Sequence, residues 1–251
     1  MSPRWFRLKC TSLALSTAIG AVLLLAQSAW TAPAETYPAK VPQKPVRKSL
    51  AKKHRGRPSK KLPKILQEVE MKYVDAGTLI AQFSQINEIA AMNQKKKSSG
   101  LIMIKHPNQV RWETIKPDPN LLVSDGKTFW FYTPPFDESE RGQVMKRKTS
   151  EIQSRLANAL LSGSLSIAKD MKIKRMDLSH YRITPKPGTA GTVTQAEIEV
   201  DPDKKLIEKV VLTNKGGNRS EISLSEIQLG KSIDEGMFKF STPPNTDEVT
   251  Q

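Results

Sequence analysis

The feature that most restricts the fold is a succession of short apolar runs divided by turn residues, with no long helix between them. Leu79, Ala81 and Phe83 alternate with Gln82 and Ser84, and Leu101-Ile102-Met103-Ile104 stops at His106-Pro107-Asn108. Val110, Trp112 and Thr114 alternate with Arg111 and Glu113, and Pro117-Asp118-Pro119-Asn120 breaks the run. Leu121-Leu122-Val123 leads into Ser124-Asp125-Gly126-Lys127, then Thr128 to Thr133. An Asp-Gly pair between two apolar runs is a strong hairpin signal. Further strands are expected at 143–146, 174–184, 192–200, 205–213, 218–228 and 237–241. The lysine- and serine-rich stretch Asn93 to Gly100 reads as a hairpin loop, with Lys95-Lys96-Lys97 at its solvated tip. Hairpin-length spacing of this kind argues for an antiparallel sheet and against alternating strand–helix units. Two helices are expected. Residues 63–76 carry Ile65, Leu66, Val69 and Val74 at helical spacing. Residues 150–161 place Ile152, Leu156, Ala159 and Leu160 on one face, and Gly163 ends that helix.

The first quarter of the chain has a different character. Its 40 basic and 25 acidic residues give a net charge of +15, which taken whole points towards nucleic acid or an anionic membrane. The charge is not evenly spread. Residues 36–64 hold eleven basic groups and no acid, whereas residues 65–251 hold 26 basic and 24 acidic groups. The bulk of the chain is therefore nearly neutral, and a nucleic-acid partner is not expected. Residues 1–34 follow the order of a secretory signal: Arg4, Arg7 and Lys9, then an apolar stretch from Thr11 to Ala26, then small residues. Cleavage is expected after Ala34 or Ser28, with an uncleaved anchor as the rival reading. Residues 35–62 form a basic tail whose prolines at 38, 42, 45 and 58 prevent a continuous helix. Two readings of this tail stand, a solvated spacer and a tether to an anionic envelope surface. The tether would gain about 1 kcal/mol per basic residue near the surface. The folded domain is expected over 63–246.

Little in the chain suggests chemistry. Cys10 is the only cysteine, and it precedes the apolar stretch, so neither a disulfide nor a lipoprotein cysteine follows. His54, His106 and His180 are scattered, without the spacing of a zinc site. Asp201-Pro202-Asp203 and Asp137-Glu138-Ser139-Glu140 are acidic but lack calcium-loop spacing. Ser124 and Asp125 sit in a hairpin rather than a nucleophile elbow. No enzyme, metal or cofactor is expected.

Residues 100–135 are the informative part. They contain Lys-His-Pro-Asn, then Val-Arg-Trp-Glu, then Leu-Leu-Val-Ser-Asp-Gly-Lys, then Thr-Phe-Trp-Phe-Tyr-Thr-Pro. The strand Tyr181 to Pro185 and the closing Phe238-Lys239-Phe240-Ser241-Thr242-Pro243-Pro244 follow in order. This ordered set, from about 63 to 244, resembles the outer-membrane lipoprotein carrier protein family (LolA), periplasmic chaperones of Gram-negative bacteria. The basic tail has no counterpart in that pattern.

The resemblance implies a mainly β fold, an antiparallel sheet curled into an incomplete, open barrel covered by short helices acting as a lid. It implies a monomeric periplasmic carrier that holds lipoprotein acyl chains in an apolar cavity. Its partners would be acylated lipoproteins, an inner-membrane ABC exporter and an outer-membrane receptor. The implied lipid-binding residues are Phe83, Met103, Val110, Trp112, Trp130, Leu156 and Leu160, with His106 and Pro107 at the lid turn. The family holds its lid with an arginine in the basic-Pro turn. Here that position is His106, and Lys105 or Arg111 are the candidates to replace it. Leu101 to Ile104 and Phe129 to Tyr132 are apolar on both faces. One face can pack under helices and the other can line the cavity. The remaining readings are an envelope-tethered adhesion module and a carrier of another lipid. Mass spectrometry of the exported protein is expected to give an N-terminus just after Ser28 or Ala34; a chain beginning at Met1 contradicts the signal.

Overall fold

The structure is a computed structural model that describes residues 62–137, 139–148, 155–187 and 189–249. The expected signal at 1–34, nearly all of the basic tail at 35–62, and residues 150–154 of the second expected helix lie outside the described residues.

The chain opens with helix α1 (Lys64–Ala76) and continues through β1 (Thr78–Ile89), β2 (Gln94–Lys105), β3 (Gln109–Lys116), β4 (Asn120–Asp125), β5 (Thr128–Thr133) and β6 (Gly142–Lys148). Helix α2 (Arg155–Leu161) and a 3-10 turn at Leu165–Asp170 follow. The second run of strands is β7 (Lys172–Arg175), β8 (His180–Thr184), β9 (Val193–Asp201), β10 (Leu206–Asn214) and β11 (Arg219–Leu229). A 3-10 turn at Glu235–Phe238 precedes β12 (Thr246–Val249). The strands form one twelve-stranded sheet in the order β12-β6-β5-β4-β3-β2-β1-β11-β10-β9-β8-β7. Two meanders thus meet where β11 docks on β1. The sheet is open, with β12 and β7 as its edges, as the fold class predicts.

Four local expectations differ from the structure. The stretch Asn93 to Gly100 is not a loop. The chain turns through a 3-10 turn at Ala90–Met92 and Asn93, the latter in the left-handed conformation at φ 50, and Glu88 faces Lys95 across the hairpin in a 2.7 Å ion pair. That pairing, repeated along twelve partnered positions, lets a lysine-rich sequence stay extended. The single strand at 174–184 is a hairpin, β7–β8, because Asp177 accepts the N–H groups of Ser179 and His180 and forces a turn. The strand at 237–241 is instead the 3-10 turn, capped by Asp234 accepting from Gly236 N–H at 2.7 Å. The unanticipated β12 pairs parallel with β6, because the chain crosses a whole sheet face after β11.

Helix α1 buries Leu66, Val69 and Tyr73, an i, i+3, i+7 stripe. It stops at Gly77, whose φ of 73 permits the left-handed cap and whose N–H reaches the Tyr73 carbonyl. α1 packs on β1 and α2 on β10, so the helices cover one face of the sheet. On that inner face lies one continuous core, running from Leu66, Tyr73, Leu156 and Leu160 to Leu79, Phe83, Trp112, Ile198 and Ile222. The opposite face is covered by the segment after β11: Ile233 and Phe238 pack on Met103, and the Phe240 ring lies 6.2 Å from that of Trp130.

Register shifts help curl the sheet. One falls between Ser99 and Gly100 in the β2–β3 pairing, another between Ile80 and Gln82 in β1–β11. At Gly100 the neighbouring strand approaches so closely that a Cβ would lie 1.9 Å from the Glu113 carbonyl oxygen and 3.0 Å from the Phe83 ring. Gly100→Ala is expected to destabilise the fold by about 1–3 kcal/mol through overpacking, read as a lower urea midpoint; an unchanged midpoint contradicts the close approach.

Candidate functional site

The inner face is organised in rows across the strands. The ladder aligns Ala81, Ile102, Trp112, Leu122, Phe131 and Met145. Partners in register share a face, so this is an unbroken apolar row across β1 to β6. Its first three members are buried, and Leu122, Phe131 and Met145 are only half-buried. The next row, two residues along, holds Phe83, Gly100, Thr114 and Asn120. Beyond it Gln85 and Asn87 are buried and polar, with Gln85 donating to Asn87 at 3.0 Å and to the Ser220 hydroxyl at 2.8 Å. The inner surface therefore grades from apolar to polar along the β1–β2 hairpin. The Phe83 and Trp112 rings stand at the boundary, 4.5 Å apart and tilted by 48°.

The helices are joined to the sheet at one node. The His106 N–H donates to the Gly77 carbonyl at the end of α1. Its imidazole lies beside the Ser162 backbone at the end of α2, which favours the charged ring. Burial pushes this imidazole below its ordinary value, and the bond to Ser162 opposes the shift. Gly163, at φ 71, continues the node: a Cβ there would lie 2.4 Å from the Tyr73 ring. The Ser164 N–H bonds back to Ala159 and that of Gly163 to Leu160, closing α2. Tyr73 also accepts the Ile207 N–H at 2.9 Å, and burial pushes its hydroxyl up to about 12. His106 thus sits between the ends of both helices. Lys105 and Arg111 are engaged elsewhere. Lys105 pairs with Glu235 of the crossing segment, and Arg111 pairs with Glu113 at 3.0 Å on the outer face.

The seven expected lining residues do not share one face. Phe83, Val110, Trp112, Leu156 and Leu160 belong to the inner core. Met103 and Trp130 point the other way: Met103 lies across from Arg111 and Trp130 across from Val123, beneath Phe238 and Phe240. The two-faced apolar pattern of β2 and β5 thus reflects a second protein layer. Leu122, Phe131 and Met145 were overlooked; pairing the hairpins from their turns would have placed them in the Trp112 row. An open cleft of about 400 Å³ lies where α1 meets the β7–β8 hairpin, lined by Ile65, Glu68, Arg175, Leu178 and Tyr181. None of the expected lining residues borders it. The acidic turns spend their oxygens locally. Asp201 accepts the N–H groups of Asp203 and Lys204, and these bonds hold its carboxyl down at about 2. Asp137 accepts from the Ser139 N–H and hydroxyl.

Residues 75–241 match the model of the family described as "Outer membrane lipoprotein carrier protein LolA". The chain belongs to this family. A LolA relative from Dechloromonas aromatica, named outer-membrane lipoprotein carrier protein, is 30% identical over 178 residues, covering 68% of this chain and 81% of its own. One of the same name from Azotobacter vinelandii is 29% identical over 178 residues, covering 70% and 83%. The solved structure of a LolA superfamily protein from Nitrosomonas europaea overlaps with a TM-score of 0.42 at 9% identity, covering 70% of this chain and 96% of that one. Within the LolA match lie β1 to β11, α2 and His106, while most of α1 precedes it.

The helix-end node at His106 is pH-sensitive by construction. Near pH 6.5 the folded chain binds fewer protons at His106 than the unfolded chain does. Burying the neutral imidazole therefore favours the folded state fully above about pH 6.5 and less as pH falls below it, although the Ser162 backbone itself favours the charged ring. His180 runs the other way. The hydrogen bond to Asp177, aided by Glu199, holds it above its ordinary value, which favours the β7–β8 joint at low pH. A local probe is therefore required. Amide exchange at Ser162 to Ser164 is expected to quicken between about pH 7.5 and 5.5, beyond the intrinsic change, in the native chain but not in His106→Gln.

Proposed function

We propose that this chain is a periplasmic carrier of acylated lipoproteins, which it takes from an inner-membrane ABC exporter and passes to an outer-membrane receptor. The observation that carries the reading is the apolar row from Ala81 to Met145, whose β4–β6 half is incompletely buried on the face the helices cover. Membership of the lipoprotein-carrier family supports it.

A carrier is needed because exposing a chain of about fifteen methylenes to water costs roughly 12 kcal/mol. Acyl chains would lie along the row, with Trp112, Leu122, Phe131 and Met145 as wall and the helices as cover. Methionine suits such a wall, since its unbranched thioether adapts to chains of different shape. Loading requires the helices to part from the sheet, and the contact to be broken is that between His106 and Ser162. A neutral imidazole offers one donor where an arginine offers five, so this lid opens more readily than one held by arginine. The cycle involves no covalent chemistry.

Protein purified without detergent is expected to yield fatty-acyl species on extraction and mass spectrometry, and the emptied protein to take up an apolar dye that acylated peptide displaces. Absence of both overturns the carrier reading. His106→Arg is expected to slow transfer to the receptor in a reconstituted assay; unchanged transfer removes the role of His106.

A further inference from the structure

The indole of Trp112 is 9% exposed, and its Nε1 atom is buried with no hydrogen-bond acceptor among the described residues. Buried N–H groups are rarely left unpaired, because doing so forfeits a hydrogen bond to water. This donor also sits in a particular place. Its own row across the sheet is apolar from Ala81 to Met145. The adjoining row on the same face brings in Thr114, and the next the buried amide of Gln85. Packing against Phe83 uses the ring faces of the indole and leaves its N–H donor without a role among the described residues.

A ligand that suits this arrangement has hydrocarbon on one side and a hydrogen-bond acceptor without charge at the point where the hydrocarbon ends. A carbonyl joining an acyl chain to its headgroup has that form. We infer that the Trp112 Nε1–H donates to such a linkage carbonyl, setting how deep the cargo's chains sit along the row. This deepens the carrier reading and rests on it. The carrier reading needs only apolar surface; this inference adds a polar anchor that distinguishes acyl chains from plain alkyl chains.

The test compares two glycerolipids with the same pair of sixteen-carbon chains, one ester-linked and one ether-linked, as competitors for a bound apolar dye. In the native chain the ester lipid is expected to bind about three- to tenfold more tightly, the range of one net hydrogen bond. In Trp112→Phe that ratio is expected to fall to about one. A second measurement needs no variant. With indole nitrogens labelled, the Trp112 Nε1–H resonance is expected to move downfield on adding the ester lipid and to stay in place with the ether lipid. A short N-palmitoylated peptide separates the two sources of carbonyl: a shift with it assigns the amide, and a shift with the diester alone assigns the ester. Equal affinities and a stationary resonance overturn the anchor while leaving the carrier reading intact. Failure of either lipid to displace the dye overturns the carrier reading and the anchor with it.

Discussion

Strands that are apolar on both faces oblige the rest of the molecule to supply two covers. In β2, Ile102 and Ile104 face one way and Leu101 and Met103 the other. In β5, Phe129 and Phe131 oppose Trp130 and Tyr132. The inner cover comes from α1, α2 and the 3-10 turn after α2. The outer cover comes from the segment that leaves β11, crosses β2 and β5, and returns to the sheet as β12. Each cover answers to the same burial free energy, about 25 cal/mol per Å² of apolar surface. The inner cover stops short of the whole face, and that incompleteness gives the molecule something to do.

The two covers are fastened differently. The outer segment is held by a strand ladder, by Lys105 pairing with Glu235, and by Arg141 pairing with Asp247 at 2.7 Å. The inner helices touch the sheet through side chains and scattered polar links: Tyr73 to the Ile207 N–H, Glu68 to Lys205, Lys72 to the Lys204 carbonyl, and His106 to Gly77 and Ser162. A ladder must break several hydrogen bonds together, whereas scattered side-chain links can yield one at a time. The helix layer on the inner face is therefore the less firmly fastened of the two. Placing a titratable imidazole at the link between His106 and Ser162 makes it sensitive to pH near neutrality.

Much of the architecture was legible in the chain. Hairpin signals such as Asp125-Gly126, and the alternation in 79–83 and 110–114, led to the right strands because turn chemistry and face alternation are local. The resemblance to the carrier family, resting on residues 100–135 and 238–244, led to the open barrel and its lid. Errors fell where a partner distant in sequence decides. Residues 94–99 look like a loop until Glu88 and the rest of β1 stand opposite them. Thr246 to Val249 look like a tail until β6 is beside them.

The candidate site divides along the same line. Sequence alone determined that the domain is nearly neutral and that β2, β3 and β5 are rich in large apolar residues. It also placed His106 at a turn where a basic residue was expected. Only the tertiary structure decided which of those apolar residues face the helices. Met103 and Trp112 looked equivalent, yet they lie on opposite faces, since a strand's two sides become inner and outer only when the sheet has curled and its covers have docked. The same assembly buried the Trp112 indole with no acceptor among the described residues and brought His106 to Ser162, 56 positions away. Contacts of that span arise from the packing of whole layers, which no local pattern encodes.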